Sequence, residues 1–216
     1  MHAFSGLRAW QEATISRKMR QPSLFPEPSG DPGADPRPAG TVFTIGHSTH
    51  PIEAFIELLR RAGIRRLVDV RSVPRSRHNP QFNSEDLARS LAGAGIDYRH
   101  IKSLGGLRHR PKDAPPSANG LWENEAFRNF ADYAMTPVFE AGFEELSALA
   151  DERPTAIMCA EALWWRCHRR LIADRLLAAG RPVAHVLGDG KIEAARLTQG
   201  AVVGRDGKLT YPALAP

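Results

Sequence analysis

The sequence predicts a three-layer α/β sandwich, with a mostly parallel sheet of about five strands and helices on both faces. Three observations predict it. From Thr41 onward, short apolar runs alternate with segments of helical period. Glycines such as Gly63, Gly95 and Gly180 close the helical segments. The chain is 42% hydrophobic, ordinary for a protein that buries a core.

The elements follow in order. VFTIG (42–46) is an apolar run ending in glycine and reads as the first strand. PIEAFIELLRRAG (51–63) places Ile52, Phe55, Ile56 and Leu59 on one helical stripe. RLVDV (66–70) is the second strand. SEDLARSLAGAG (84–95) opens with a serine cap and an acidic first turn and reads as a helix. IDYRHI (96–101) is the third strand, followed by a polar Gly/Pro-rich loop over residues 102–124. A loop of that length in a compact domain carries function or is disordered. Helical pattern returns over residues 125–150, with a bend expected at Pro137. TAIMC (155–159) is the fourth strand, residues 166–179 form a helix, and PVAHVL (182–187) is the fifth strand. KLTYP, near the end, adds a short edge strand.

Residues 20–40, RQPSLFPEPSGDPGADPRPAG, are dominated by Pro, Gly and charge. The chain therefore divides into a disordered tail over residues 1–40 and one α/β domain over residues 41–216. Two cysteines make no disulfide framework. With no export signal and no apolar run of membrane-spanning length, a cytoplasmic protein with reduced thiols and no membrane partner is expected. The net charge of +5 favours an anionic partner such as nucleic acid or a nucleotide.

Ligands of open parallel sheets sit beyond the carboxyl ends of the strands. Gly46, His47 and Ser48 follow the first strand; Asp69, Arg71, Ser72, Arg75 and Arg77 end or follow the second; Cys159 and Glu161 end or follow the fourth. These groups share one rim if the sheet is parallel. Asp69 is a catalytic carboxylate, or it holds Arg71. Glu161 is a general acid or base, or it complements a helix N-terminus. Cys159 is a nucleophile with a lowered pKa, or it fills the core. His47 and His168 orient substrate or share proton transfer, and His168 also suits a helix interior. Cys167 reads as core filler.

Between Arg60 and Lys112 stand thirteen Lys/Arg and four Asp/Glu. In that stretch VRSVPRSRHNPQF and LGGLRHRPKD interleave basic residues with turn formers. Arg71, Arg75 and Arg77 would hold an anion, the amides around Gly105 and Gly106 would approach a phosphate, and Phe82 or Trp122 would stack on a base. A solubilising basic face is the alternative. The run CAEALWWRCHR (159–169) holds no CxxC pair, and adjacent Cys167 and His168 on a regular helix do not ligate one ion easily, so no metal site is expected. A phosphatase loop would need Arg where Trp165 stands.

Gln21-Pro-Ser-Leu24-Phe25 resembles the Gln-x-Ser/Asp-Leu-Phe peptide by which bacterial polymerases and repair proteins dock on the replication sliding clamp. Leu24 and Phe25 would enter an apolar groove while Gln21 makes polar contacts. The motifs TIGHS, LVDVRSVPRSRHNPQFN, LGG and CAEALWWRCHR followed by IAD resemble the domain of unknown function 488 family, from about Thr41 to Tyr211. The resemblance implies an α/β fold with a parallel sheet and no settled activity. Its recurring motifs fall on His47, Ser48, Asp69, Arg71, Pro74, Arg75, Asn79, Phe82, Gly105, Gly106, Cys159, Glu161, Cys167, His168 and Arg169. Among these, the expected substrate contacts are Ser48, Arg71, Arg75, Asn79, Phe82, Gly105, Gly106 and Arg169. Three functions follow as expectations: an enzyme, hydrolytic, acting on nucleic acid or a nucleotide; a DNA-binding module without catalysis; and an enzyme of thiol or sulfur chemistry. No cofactor is specified.

Overall fold

A computed structural model of the protein describes residues 38–213. The tail through residue 37, including Gln21, Leu24 and Phe25, lies outside the described residues. The expected alternation forms a six-stranded sheet. Its strands are β1 (Val42–Gly46), β2 (Arg66–Asp69), β3 (Asp97–His100), β4 (Thr155–Cys159), β5 (Val183–Val186) and β6 (Ile192–Ala194). They stand in the order β3-β2-β4-β1-β5-β6, with all neighbours parallel except β5 and β6.

The inner strands are buried on both faces, which is why they read as continuous apolar runs. Alternation along each strand sorts the side chains between two cores. Phe43, Ile45, Leu67, Ala156 and Met158 pack with Phe55 and Leu59 of α1 (Ile52–Arg61) and Leu87 and Leu91 of α2 (Ser84–Gly93). Val42, Val68, Ile157 and Val183 pack on the other side with α3 (Glu125–Tyr133), α4 (Pro137–Glu152) and α5 (Arg169–Ala178). Helices thus cover both faces. Moving to β2 and β3 through α1 and α2 on one face, then back to β4 and β5 through α3, α4 and α5 on the other, satisfies the right-handed crossover rule. The central strand β4 therefore lies between β1 and β2, whose chains leave toward the opposite helical layer. A crevice opens above its carboxyl end.

Several elements differ from expectation. Pro137 starts a new helix instead of bending an old one: Thr136 caps it with its hydroxyl on the Phe139 N–H, and proline occupies the first turn where no N–H is needed. β6 is a sixth strand, joined to β5 by a tight reversal at Gly190, which has φ of 84°. KLTYP does not extend the sheet; β8 (Leu209–Thr210) pairs with β7 (Val202–Val203) in a separate ribbon. That ribbon is docked by buried Tyr211, whose hydroxyl donates to Asp174 Oδ2 at 3.0 Å and whose N–H donates to Asn119 Oδ1 at 2.9 Å.

The helix expected over residues 166–179 begins at Arg169. Before it come a 3-10 turn, Trp164–Arg166, and an extended Cys167 with φ of −121° and ψ of 146°. Among the described residues no helix is long and apolar enough to cross a membrane.

Candidate functional site

The parallel ladder between β1 and β4 continues past the strands: the His47 N–H donates to Cys159 O and the Ser48 N–H to Ala160 O, both at 3.0 Å. A Cβ on Gly46 would lie 2.1 Å from the Glu161 carbonyl oxygen, so only glycine lets the turn after β4 close onto β1. Ser48 then takes φ of 45°, a left-handed conformation uncommon for a residue with a side chain. The turn aims the Ser48 carbonyl at the imidazole of His47, 2.8 Å from Nδ1.

Behind this rim lies a buried ion pair. Asp69 is fully buried and accepts from the Arg71 N–H at 3.0 Å, from Arg71 Nε at 2.9 Å, from Arg71 Nη2 at 2.6 Å and from the Tyr98 hydroxyl at 2.8 Å. Burial opposes the charge of Arg71, but Asp69 outweighs it and raises the guanidinium pKa. Burial, with the Asp69 charge beside it, raises the Tyr98 phenol. Arg71 also donates to Phe82 O at 2.8 Å and approaches His47 Nε2 at 3.3 Å. A carbonyl only accepts and a guanidinium only donates, so His47 carries its proton on Nδ1 and is neutral. Burial agrees, lowering its pKa from 6.5 to about 4.

In front lies the thiol–imidazole group. His168 Nε2 donates to Val70 O at 3.0 Å, which leaves Nδ1 unprotonated in the neutral ring. That nitrogen faces both sulfurs, 3.6 Å from Cys167 Sγ and 4.0 Å from Cys159 Sγ. Phe130 holds the ring edge-on at 5.1 Å. The two thiols share this site, and their interaction lowers the Cys167 pKa and raises that of Cys159, which burial raises further. Buried Arg169 donates from Nε to Cys167 Sγ at 3.3 Å and from Nη2 to the Glu161 carbonyl. Among the described residues it makes no carboxylate ion pair. The two cysteines and His168 present their ligating atoms within 4.8 Å of one another, a set able to hold a metal ion.

These groups line a pocket of about 340 Å³. Arg71, Arg75 and Arg166 contribute its cations, Glu161 its one carboxylate, and Gly106, Leu107 and Phe127 its far wall. Glu161 Oε1 accepts from the Leu163 N–H at 3.0 Å, which fixes the turn. A larger cavity of about 530 Å³ lies under the loop around residues 108–118. Two of its guanidiniums are engaged internally, Arg110 with Asp132 and Arg108 over the Tyr133 ring, and its lining holds no thiol, so the smaller pocket is the chemically equipped one.

Of the expected residues, Arg71, Arg75, Gly106, Cys159, Glu161 and His168 meet in this pocket. His47 and Asp69 lie behind it, engaged with Arg71. Three expected substrate contacts are corrected. Phe82 is fully buried and stacks on His47 at 4.1 Å, so it has no face for a base. Arg169 is 1% exposed and spends its donors on Cys167 and Glu161, so it positions the site and does not reach an anion. Gly105 is buried against Ser72, which a Cβ would strike at 2.5 Å. Ser48, Arg77 and Asn79 stand off the pocket wall. Trp122 stacks on Phe127 at 5.0 Å, with Arg170 over its ring. Sequence reasoning missed Tyr98 and gave Cys167 to the core. The adjacency of Cys167 to His168, within nine residues of Cys159, was the available signal.

The fold and pocket define a doubly wound α/β protein with paired thiols and clustered guanidiniums at the carboxyl edge of its sheet. The chain belongs to the family described as domain of unknown function DUF488, whose model matches residues 51–176, from the residue before α1 into α5. No curated protein and no solved structure matches the chain.

Two outcomes follow. Asp69→Asn leaves the Arg71 charge buried without its counter-ion and should destabilise the fold by about 3–5 kcal/mol, read as a lower urea midpoint at an unchanged slope. Acid should also destabilise the protein. His47 and His185 both have pKa values lowered by burial from 6.5 to about 4. Between those two pH values the unfolded histidines take up protons that the folded ones refuse. Stability is therefore full above pH 6.5 and falls as the pH drops toward 4, on the order of 3 kcal/mol for each imidazole. Denaturation midpoints measured across that range check the sign.

Proposed function

We propose that the protein is a cytoplasmic hydrolytic enzyme acting on nucleic acid or a nucleotide, with the pocket over Cys159 as its active site. The observation that supports this is the charge of the pocket wall, three guanidiniums against one carboxylate, around a floor of thiol and imidazole. Arg71 is immobilised by Asp69 and marks a fixed cationic wall. Arg75 and Arg166 are exposed and reach for phosphate oxygens. Glu161, half-buried at the turn after β4, moves the proton or activates water. Cys159 is either nucleophile or wall, and Cys159→Ser separates the two, since retained turnover rejects the nucleophile.

The test is anisotropy of a labelled single-stranded oligonucleotide, with mass spectrometry of the same strand after incubation. Arg75→Ala with Arg166→Ala should weaken binding by about tenfold or more and reduce the salt slope by about 1.4. Glu161→Gln should bind as the parent does and yield no product. Binding that ignores both salt and the arginine pair rejects the reading. Binding without product from the parent protein makes it a DNA-binding module.

We propose also that Gln21, Leu24 and Phe25 dock the protein on the sliding clamp. A pull-down with purified clamp should lose the protein when Leu24 and Phe25 are changed to Ala, and equal capture of that variant rejects docking.

A further inference from the structure

We propose that Cys159, Cys167 and His168 bind a divalent cation of the zinc class, with a fourth coordination position open to the pocket. The argument begins with local backbone. A regular helix would point the side chains of adjacent residues 167 and 168 in different directions. Here Cys167 is extended and His168 stands at the start of α5, so both reach the same point from the chain's bend. Cys159 arrives there from the end of β4, the strand between β1 and β2.

The distances fit an ion. Tetrahedral zinc with sulfur and nitrogen ligands separates those ligand atoms by about 3.5–3.8 Å. His168 Nδ1 lies 3.6 Å from Cys167 Sγ and 4.0 Å from Cys159 Sγ, and all three ligand atoms lie within 4.8 Å of one another, so side-chain movements of about 1 Å or less close the set.

The surroundings fit as well. Metal-bound imidazoles usually donate their other ring nitrogen to a carbonyl or carboxylate, which fixes ring and tautomer. The Val70 carbonyl does this for His168 at 3.0 Å. Arg169 gives Cys167 Sγ the outer-shell hydrogen bond that a ligating thiolate carries. Above the imidazole stands Gly106, where a Cβ would lie 2.5 Å from Nδ1 itself. It would also lie 2.6 Å from Cγ, so only glycine at 106 leaves the imidazole in this position.

Two sulfurs and an imidazole select zinc-class ions over magnesium or calcium, which take oxygen. Three protein ligands leave one position, and all three side chains line the pocket that holds Arg71, Arg75 and Arg166. What fills that position, water or a phosphate oxygen, rests on the function proposed above; the metal site itself does not.

The test uses the full chain, kept reduced, stripped of metal and titrated with cobalt(II). One equivalent should produce a thiolate-to-cobalt charge-transfer band and the intense visible bands of a tetrahedral site, and zinc should abolish both. Cys159→Ser and Cys167→Ser should each lose the charge-transfer intensity of one sulfur, and His168→Gln should weaken cobalt binding by tenfold or more. A parent protein with two titratable thiols and no such bands overturns the site. So do bands of undiminished intensity in both cysteine variants. Oligonucleotide binding, measured on the same stripped protein, separates failure of the metal site from failure of the nucleic-acid reading.

Discussion

Asp69 and Arg71 meet at 2.6 Å with almost no access to solvent, and the rim of the sheet is organised around that contact. Removing two charges from water costs several kcal/mol for each ion, so such a pair persists only where its remaining hydrogen-bonding capacity is filled. Here both carboxylate oxygens are engaged, by the Arg71 backbone and guanidinium and by Tyr98. The guanidinium's other hydrogens go to Phe82 O and toward His47, and the Arg71 carbonyl takes His100 Nε2 at 2.8 Å. One ion pair thereby ties the ends of β1, β2 and β3 to the 3-10 turn at Pro80–Phe82. The strand ends cannot slide without breaking it, and the pocket inherits their rigidity.

The charges around the pocket are of two kinds. The charge of Arg71 is largely offset by Asp69, and that of Arg169 lies beneath the turn, directed at a sulfur and a carbonyl. Arg75 and Arg166 are exposed and carry the field that solution sees. Exposed charges are screened over about 8–10 Å at ordinary ionic strength, whereas buried ones are not. The positive field at the pocket mouth thus comes from the exposed pair, Arg75 and Arg166.

Much of the fold was legible because parallel strands buried on both faces are mostly apolar, as β1, β4 and β5 are apart from Thr44, Thr155 and His185, and as β2 is at Leu67 and Val68. Strands of two or three residues, such as β6, β7 and β8, carry too few positions for a period to register. Phe82 and Arg169 mark the harder limit. A phenylalanine in a basic loop reads as a stacking platform, yet it is folded beneath His47 by a 3-10 turn whose Phe82 carbonyl accepts from Arg71. An arginine two residues after a cysteine reads as an anion contact until the carbonyl of Glu161 is known to accept from it. Convergence of the rim groups followed from topology alone. The partners inside the rim did not, because Tyr98 reaches Asp69 across 29 residues and Val70 reaches His168 across 98.

Gly106 shows how the two limits meet. A Gly-Gly pair in a basic loop suggests a backbone that approaches a phosphate. The space that the missing Cβ vacates is filled instead by the His168 ring. The loop is pinned there: the Leu107 N–H donates to Ser72 Oγ at 2.8 Å, and Arg108 folds back to the carbonyls of Lys102, Ser103 and Gly105. Close approach was the right physical inference from glycine, with the wrong partner. The consequence is mechanical. A loop fastened to the segment after β2 forms the pocket edge over the imidazole, and Arg75 and Arg166 line the same opening.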